Sequence, residues 1–240
     1  MNKKHPPLKL NLNTNFCGLA LTSPTMLLSG CVGFGEEYTR IEGFSNKDVG
    51  GIILKGTTLE PRLGNSNHRV YETPMGMLNA IGLQNPGCDQ VINQILPSLD
   101  ISETQFIANV CGSTIEDYAK VTEKFDDSMV AAIEINISCP NIKEGGVSFG
   151  NYPEMSAKVI AACRKKTKKP IIAKLSPNQT DIKENAKQCI EAGADALGVI
   201  NTIMGMAIDV ETREPIIANV QGGLSGPAIK PIALLKVKQV

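Results

Sequence analysis

The run Asn136-Ile137-Ser138-Cys139-Pro140-Asn141 sets a thiol between two carboxamides. A thiol can take or give a proton, and asparagine amides present both a donor and an acceptor to a planar polar ligand. The run follows the apolar segment 130–135, which reads as a buried strand. Pro140 then stops regular pairing. In parallel α/β sheets the carboxyl end of a strand is where ligands bind and chemistry happens. A buried structural cysteine is the competing reading of this hexapeptide taken alone.

Other apolar runs also end in polar residues. After the first come Ser29-Gly30-Cys31-Val32-Gly33-Phe34-Gly35, and after the second Lys55-Gly56-Thr57-Thr58. The third ends near Asn109, the fifth carries Lys174 and Ser176, and the sixth gives Asn201-Thr202. Lysine at the end of an apolar run is unusual. Lys55 and Lys174 must each find an anionic or electron-rich partner, or shift in pKa. Each taken singly also reads as a snorkelling side chain. Two converging on one rim suggest an anionic or oxidised planar cofactor. The segment Gly76-Met77-Leu78-Asn79-Ala80-Ile81-Gly82-Leu83-Gln84-Asn85-Pro86-Gly87 suits a loop that covers a small polar ring, or an ordinary surface loop. Gly222-Gly223-Leu224-Ser225-Gly226-Pro227 reads as a glycine-rich loop opening a helix, where backbone N–H groups meet a phosphate or ring edge. Neither glycine-rich segment is a GxGxxG after a first strand, so a Rossmann site is poorly supported.

The elements that must position these residues alternate along the chain. Strands are predicted at 25–29, 51–55, 106–110, 132–137, 171–175 and 196–200, and helices at 115–124, 153–166, 182–192 and from Pro227 onward. Ser113 or Thr114, Thr180-Asp181 and Pro227 mark helix starts, and Gly193 a helix end. Such alternation means βαβ units and a parallel sheet. The stretch 56–100 breaks the pattern and reads as a long functional loop with local structure of its own. Six core strands fall short of the eight of a closed (β/α)₈ barrel. Lys236 to Val240 are still in helical register, which reads as a chain cut short at its C-terminus.

At 240 residues the chain balances 24 Lys and Arg against 24 Asp and Glu, which argues against nucleic acid as a partner. The lysines at 165, 166, 168 and 169 read as the solvated end of a helix, and Asp126-Asp127 and Glu36-Glu37 as solvated acids. The seven cysteines are widely spaced with no CxxC pair, which predicts reduced thiols in a cytoplasmic protein and no metal site. His5 and His68 lack a partner set, and Met204 and Met206 read as packing or lid residues. No signal peptide or membrane-spanning run is present in this sequence, which predicts no membrane partner.

The motifs at 29–38 (SGCVGFGEEY), 79–85 (NAIGLQN), 136–141 (NISCPN), 174–178 (KLSPN), 200–202 (INT) and 222–231 (GGLSGPAIKP) together give the chain a likeness to a known family. It resembles the catalytic subunits of the class 1B, NAD-linked dihydroorotate dehydrogenases of pyrimidine biosynthesis. The resemblance implies a (β/α)₈ TIM-type barrel, residues 1–240 forming one FMN-binding barrel domain with about six of the eight strands. It implies that dihydroorotate is oxidised to orotate, with Cys139 as the base at C5. Lys55, Asn79, Ala80, Ile81, Gly82, Leu83, Asn136, Asn201 and Thr202 would line the substrate. Ser29, Lys55, Gly56, Asn109, Asn136, Lys174, Ile200 and Gly226 would hold FMN. The family's last two strands, with their FMN-phosphate glycines, are a departure here. A partner subunit with FAD and a [2Fe–2S] cluster would relay electrons to NAD⁺, in a heterotetramer built on a homodimer. The flavin domain of a dihydropyrimidine dehydrogenase and an inactive fragment are the alternatives. The 79–85 loop favours dihydroorotate.

Overall fold

The computed structural model describes residues 10–138 and 149–240. His5 and the segment Cys139-Pro140-Asn141 lie outside the described residues.

Six parallel strands curl into an incomplete barrel in the order β10-β9-β8-β7-β4-β3. They are β3 (Met26–Leu27), β4 (Gly51–Ile53), β7 (Gln105–Val110), β8 (Ala132–Asn136), β9 (Ile171–Leu175) and β10 (Ala196–Val199). All six fall within a residue or two of the predicted positions. Helices α2 (Ile115–Asp126), α3 (Pro153–Arg164), α4 (Ile182–Glu191) and α5 (Lys230–Gln239) follow the strands. Thr114 caps α2 in a reciprocal box with Asp117, and the Asp181 carboxylate accepts from Lys183 N and Glu184 N to start α4. Gly193 ends α4 at φ +109°, a conformation glycine tolerates.

The period-two alternation of strands sorts every side chain to one of two faces. Ile52, Leu54, Phe106, Ala108, Val110, Ile133, Ile135, Ile171, Ala173 and Leu175 face outward. They pack with Tyr118, Val121 and Phe125 of α2, Val159, Ile160 and Cys163 of α3, and Ile182, Ala186 and Cys189 of α4. The intervening residues face the barrel interior. At its amino end these are Ile53, Ile107, Ala132 and Ile172, a small apolar layer joined by Met26 and Ala196. The next inward positions are Lys55, Asn109, Glu134, Lys174 and Gly198, so the interior turns polar toward the carboxyl ends.

Two features were not foreseen. An N-terminal hairpin, β1 (Thr14–Phe16) with β2 (Leu19–Leu21), sets Phe16 and Leu19 against the apolar inner layer and plugs that end. Its two-residue turn, Cys17-Gly18, has φ +51° and +85°, the positive pair that a tight hairpin needs. The second is a four-stranded antiparallel sheet in the order β11-β12-β6-β5. It is built from β5 (Val70–Thr73), β6 (Gly76–Asn79), β11 (Ile203–Gly205) and β12 (Gly222–Ser225). The stretch read as a long loop thus holds a hairpin, followed by a helical run from α1 (Cys88–Gln90) through Ser98. The segment Gly222–Ser225 forms a strand rather than a loop, and the helical turn starts only at Pro227.

Three charged residues read as solvated are engaged instead. Lys169 donates to the carbonyls of Phe125 and Ser128, at 3.3 and 2.5 Å. Asp126 accepts from the Thr167 hydroxyl. Glu37 accepts from Phe34 N at 3.1 Å, closing the 33–37 turn. Lysine 166 does lie at the surface, where it pairs with Glu123.

Candidate functional site

Four adjacent strands deliver Lys55, Asn109, Asn136 and Lys174 to one interior. The neighbouring strands match Asn109 with Glu134 and Asn136 with Lys174 in register. Asn109 is fully buried, and its Nδ2 donates to Glu134 Oε2. Lys174 Nζ stands 3.8 Å from the same oxygen. Gly56 makes room for this group: a side-chain carbon there would sit 2.9 Å from Asn109 Oδ1 and 3.0 Å from Cys111 Sγ.

Lys55 completes the layer. Burial, above all, lowers its pKa, and the positive charges of Arg69 and Lys174 add to the effect while Cys111 opposes it. Among the described residues no hydrogen bond or ion pair reaches its ammonium group. Two lysines and one carboxylate therefore leave surplus positive charge inside the barrel. An anion entering beside Lys55 raises that depressed pKa again, so binding takes up a proton at pH values between the lowered and the ordinary lysine pKa. The affinity for an anionic ligand is expected to fall as pH rises through the lowered value. Calorimetry in buffers of different ionisation enthalpy measures the uptake, and its absence at alkaline pH would refute this charge assignment.

The antiparallel sheet brings the second half of the site over the first. Asn79 pairs with Gly223 across β6 and β12, and its Nδ2 donates to Gly223 O at 3.3 Å. A side-chain carbon at Gly223 would meet Thr202 Oγ1 at 2.1 Å, so glycine lets Thr202 lie against the strand. Asn201 Nδ2 reaches Asn136 Oδ1 at 3.4 Å, and Thr202 N donates to Asn201 Oδ1 at 2.8 Å. Asn79, Asn136, Asn201 and Thr202 thus form a chain of neighbours.

The 79–85 loop is held shut by buried Asn85. Its Oδ1 accepts from Thr58 N and Gly87 N, at 3.2 and 2.9 Å, and its Nδ2 donates to Thr58 Oγ1 and Leu83 O, at 2.9 and 2.7 Å. Every hydrogen-bonding position of the amide is used for fixing the loop to the carboxyl end of β4. Ala80, Ile81, Gly82 and Leu83 are half-buried beneath it. Gly82 has φ +75° and its α-carbon lies so near Asn65 that an added carbon would meet Asn65 N at 2.6 Å. No ligand-facing role was assigned to Asn85 from sequence, and its role here is structural.

Ser29 follows β3 in a half-buried turn, and the same loop's Gly33 O accepts from Lys55 N at 2.7 Å. Ile200 packs on the outer core. Gly226 lies apart, exposed at the β5–β6 turn, three residues along β12 from the Asn79 pairing, about 10 Å at strand rise. The residue that sequence reasoning passed over is Glu134. An acid inside the apolar run 130–135 was the available signal.

The planar amides and surplus cation of this donor set fit a flat heteroaromatic ring with carbonyl and N–H edges and a tendency to become anionic, as FMN is. No helix among the described residues is long and apolar enough to cross a membrane.

Comparison with known proteins agrees with this geometry. The sequence profile described as dihydroorotate dehydrogenase matches residues 11–240. The chain is 49% identical to the dihydroorotate dehydrogenase B (NAD(+)) catalytic subunit of Pelobacter propionicus, over 97% of this chain and 76% of that protein. It is 51% identical to the subunit of the same name from Trichlorobacter lovleyi, with the same coverage. The Geobacillus kaustophilus subunit is also 51% identical, over 93% of this chain and 71% of its own length.

Proposed function

The chain belongs to the dihydroorotate dehydrogenase family, and from that premise we propose how its residues work. It is an oxidoreductase that converts dihydroorotate to orotate in pyrimidine biosynthesis, as a catalytic subunit working with a partner. The observation that carries the site assignment is the convergence of Lys55, Asn109, Asn136 and Lys174 on one barrel interior, with Asn79 and Asn201-Thr202 close above.

Bound FMN would accept the hydride from C6 of dihydroorotate. Lys174 and Asn109, with Ser29, Gly56, Asn136 and Ile200, would hold that cofactor in one barrel domain, and Gly226 would join them only where the cofactor extends along β12. Lys55 attracts the substrate carboxylate, and the amides of Asn79, Asn136 and Asn201 pair with the carbonyl and N–H edges of the pyrimidine. Thr202 and the backbone of 80–83 close around it. Cys139 removes the proton from C5. Electrons leave through a partner subunit carrying FAD and a [2Fe–2S] cluster, toward NAD⁺, in a cytoplasmic heterotetramer built on a homodimer of this chain.

An anaerobic visible spectrum of the purified, FMN-loaded chain tests this reading. Dihydroorotate is expected to bleach the flavin band, whereas dihydrouracil, the product of the related pyrimidine reductases, leaves it. A chain that binds FMN but is bleached by neither would refute the substrate assignment.

A further inference from the structure

Glu134 is the only acidic side chain among the described residues that is buried, at 3% exposure, and the proposed reaction does not use it. Its carboxylate lies across the inner face of β9. Oε2 accepts from Asn109 on β7 and stands 3.8 Å from Lys174 Nζ on β9, while a carbon added at Gly198 on β10 would come within 3.0 Å of Oε1. Gly198 is thus the gap into which the acid fits. Burial pushes the Glu134 carboxyl up, and Lys174 and Asn109 pull it back toward the charged form. A carboxylate so placed both fixes the Lys174 ammonium and offsets its charge. Asn109, Glu134 and Lys174 form one network, and none of the three can move without unpairing another.

We propose that Glu134 is a positioning residue for the cofactor pocket, which holds Lys174 and Asn109 in place and keeps the midpoint potential of bound FMN low by balancing the Lys174 charge. The proposal rests on the FMN reading above. Removing the anion leaves the lysine uncompensated, and the surplus positive charge favours the more negative, reduced form of the cofactor.

The test is a spectroelectrochemical titration of the FMN-loaded chain as wild type, Glu134→Gln and Glu134→Asp. Glutamine keeps the volume and an acceptor for Asn109 but removes the charge. It is expected to raise the ratio of reduced to oxidised FMN affinity at least tenfold, a shift of about 30 mV upward for a two-electron couple. Aspartate keeps the charge and is expected to lie nearer the wild-type potential. An unchanged potential in flavin-loaded Glu134→Gln overturns the proposal even if the variant melts earlier, because a purely structural role would lower stability alone. If Glu134→Gln does not fold, Gly198→Ala takes its place: its methyl pushes Oε1 aside and loosens the pair with Lys174, so the lysine charge is less well balanced and the potential is expected to rise, by less than in Glu134→Gln; a potential that stays put overturns the proposal. A wild-type chain that takes up no FMN overturns the cofactor reading, and this role with it. Flavin content before the titration tells the two failures apart.

Discussion

Lys174→Met is expected to strip the chain of its flavin, or to leave a flavin that dihydroorotate reduces at least 100-fold more slowly. Methionine preserves most of the stem and deletes the charge. Two consequences follow from the same pair. The pocket loses the cation that favours the reduced cofactor, so the potential should fall, opposite in sign to the shift expected for Glu134→Gln. The Glu134 carboxylate also loses its ion partner while remaining buried at 3% exposure. Breaking a buried pair from one side destabilises by about 3–5 kcal/mol. The double variant Lys174→Met/Glu134→Gln removes both charges. It should regain much of the stability, since a neutral pair avoids the unpaired buried charge, yet it should not regain reduction. Flavin content after desalting and single-turnover reduction rates measure the first effect, and thermal melting the second. A single variant with full flavin and wild-type reduction would remove Lys174 from the site.

The parallel sheet was legible in sequence because each strand is a short apolar run bounded by helix caps and turn residues. That pattern is local, so no tertiary knowledge is needed to read it. The antiparallel sheet is different. Its strands are three or four residues long, and Asn79 finds its partner Gly223 far along the chain. Nothing local in Gly222-Gly223-Leu224-Ser225 favours a strand over a loop, and the pairing is imposed by where the rest of the chain puts β6. The N-terminal hairpin escaped for a related reason: Cys17 occupies a positive-φ turn position where Asn, Asp or Gly is the ordinary signal. The candidate residues Lys55, Asn109, Asn136, Lys174 and Asn201 could be singled out from their position at strand ends, and Asn79 only from its amide- and glycine-rich loop. Glu134 could not be assigned a role, because one acid in an apolar strand does not reveal which cation lies on the next strand. Register supplies that, by setting Asn136 beside Lys174. The inward face two residues earlier on β8 then carries Glu134 under the same lysine.

Cys139→Ser should lower turnover by about 10²–10⁴-fold near neutral pH, the usual worth of a general base. Cys139 itself lies outside the described residues, but the chain that leads to it is anchored. Tyr118 of α2 donates its hydroxyl to Asn136 O at 2.7 Å, and Ser138 Oγ donates to Lys174 O at 3.1 Å. The described chain before position 139 is therefore tied, through Ser138, to Lys174, the lysine proposed to hold the cofactor. A free thiol titrates near 8.5, close enough to neutrality for modest tuning to supply a thiolate. A serine hydroxyl lies far higher and offers almost no alkoxide at that pH. The loss should thus shrink as the medium becomes alkaline, and the pH–rate profile of the variant should move upward. Two other thiols are unsuited to this work. Burial pushes Cys163 up to about 11 and Cys189 up to about 12, and both pack among helix and strand side chains on the outer core. Rates of dihydroorotate oxidation by the chain with its partner subunit, followed across pH for wild type and Cys139→Ser, decide the matter. An unchanged optimum, with turnover within a few fold of wild type, would move the base to another residue. A shifted optimum with intact flavin content would place proton removal at position 139, because loss of cofactor could not change the pH at which the remaining enzyme works best.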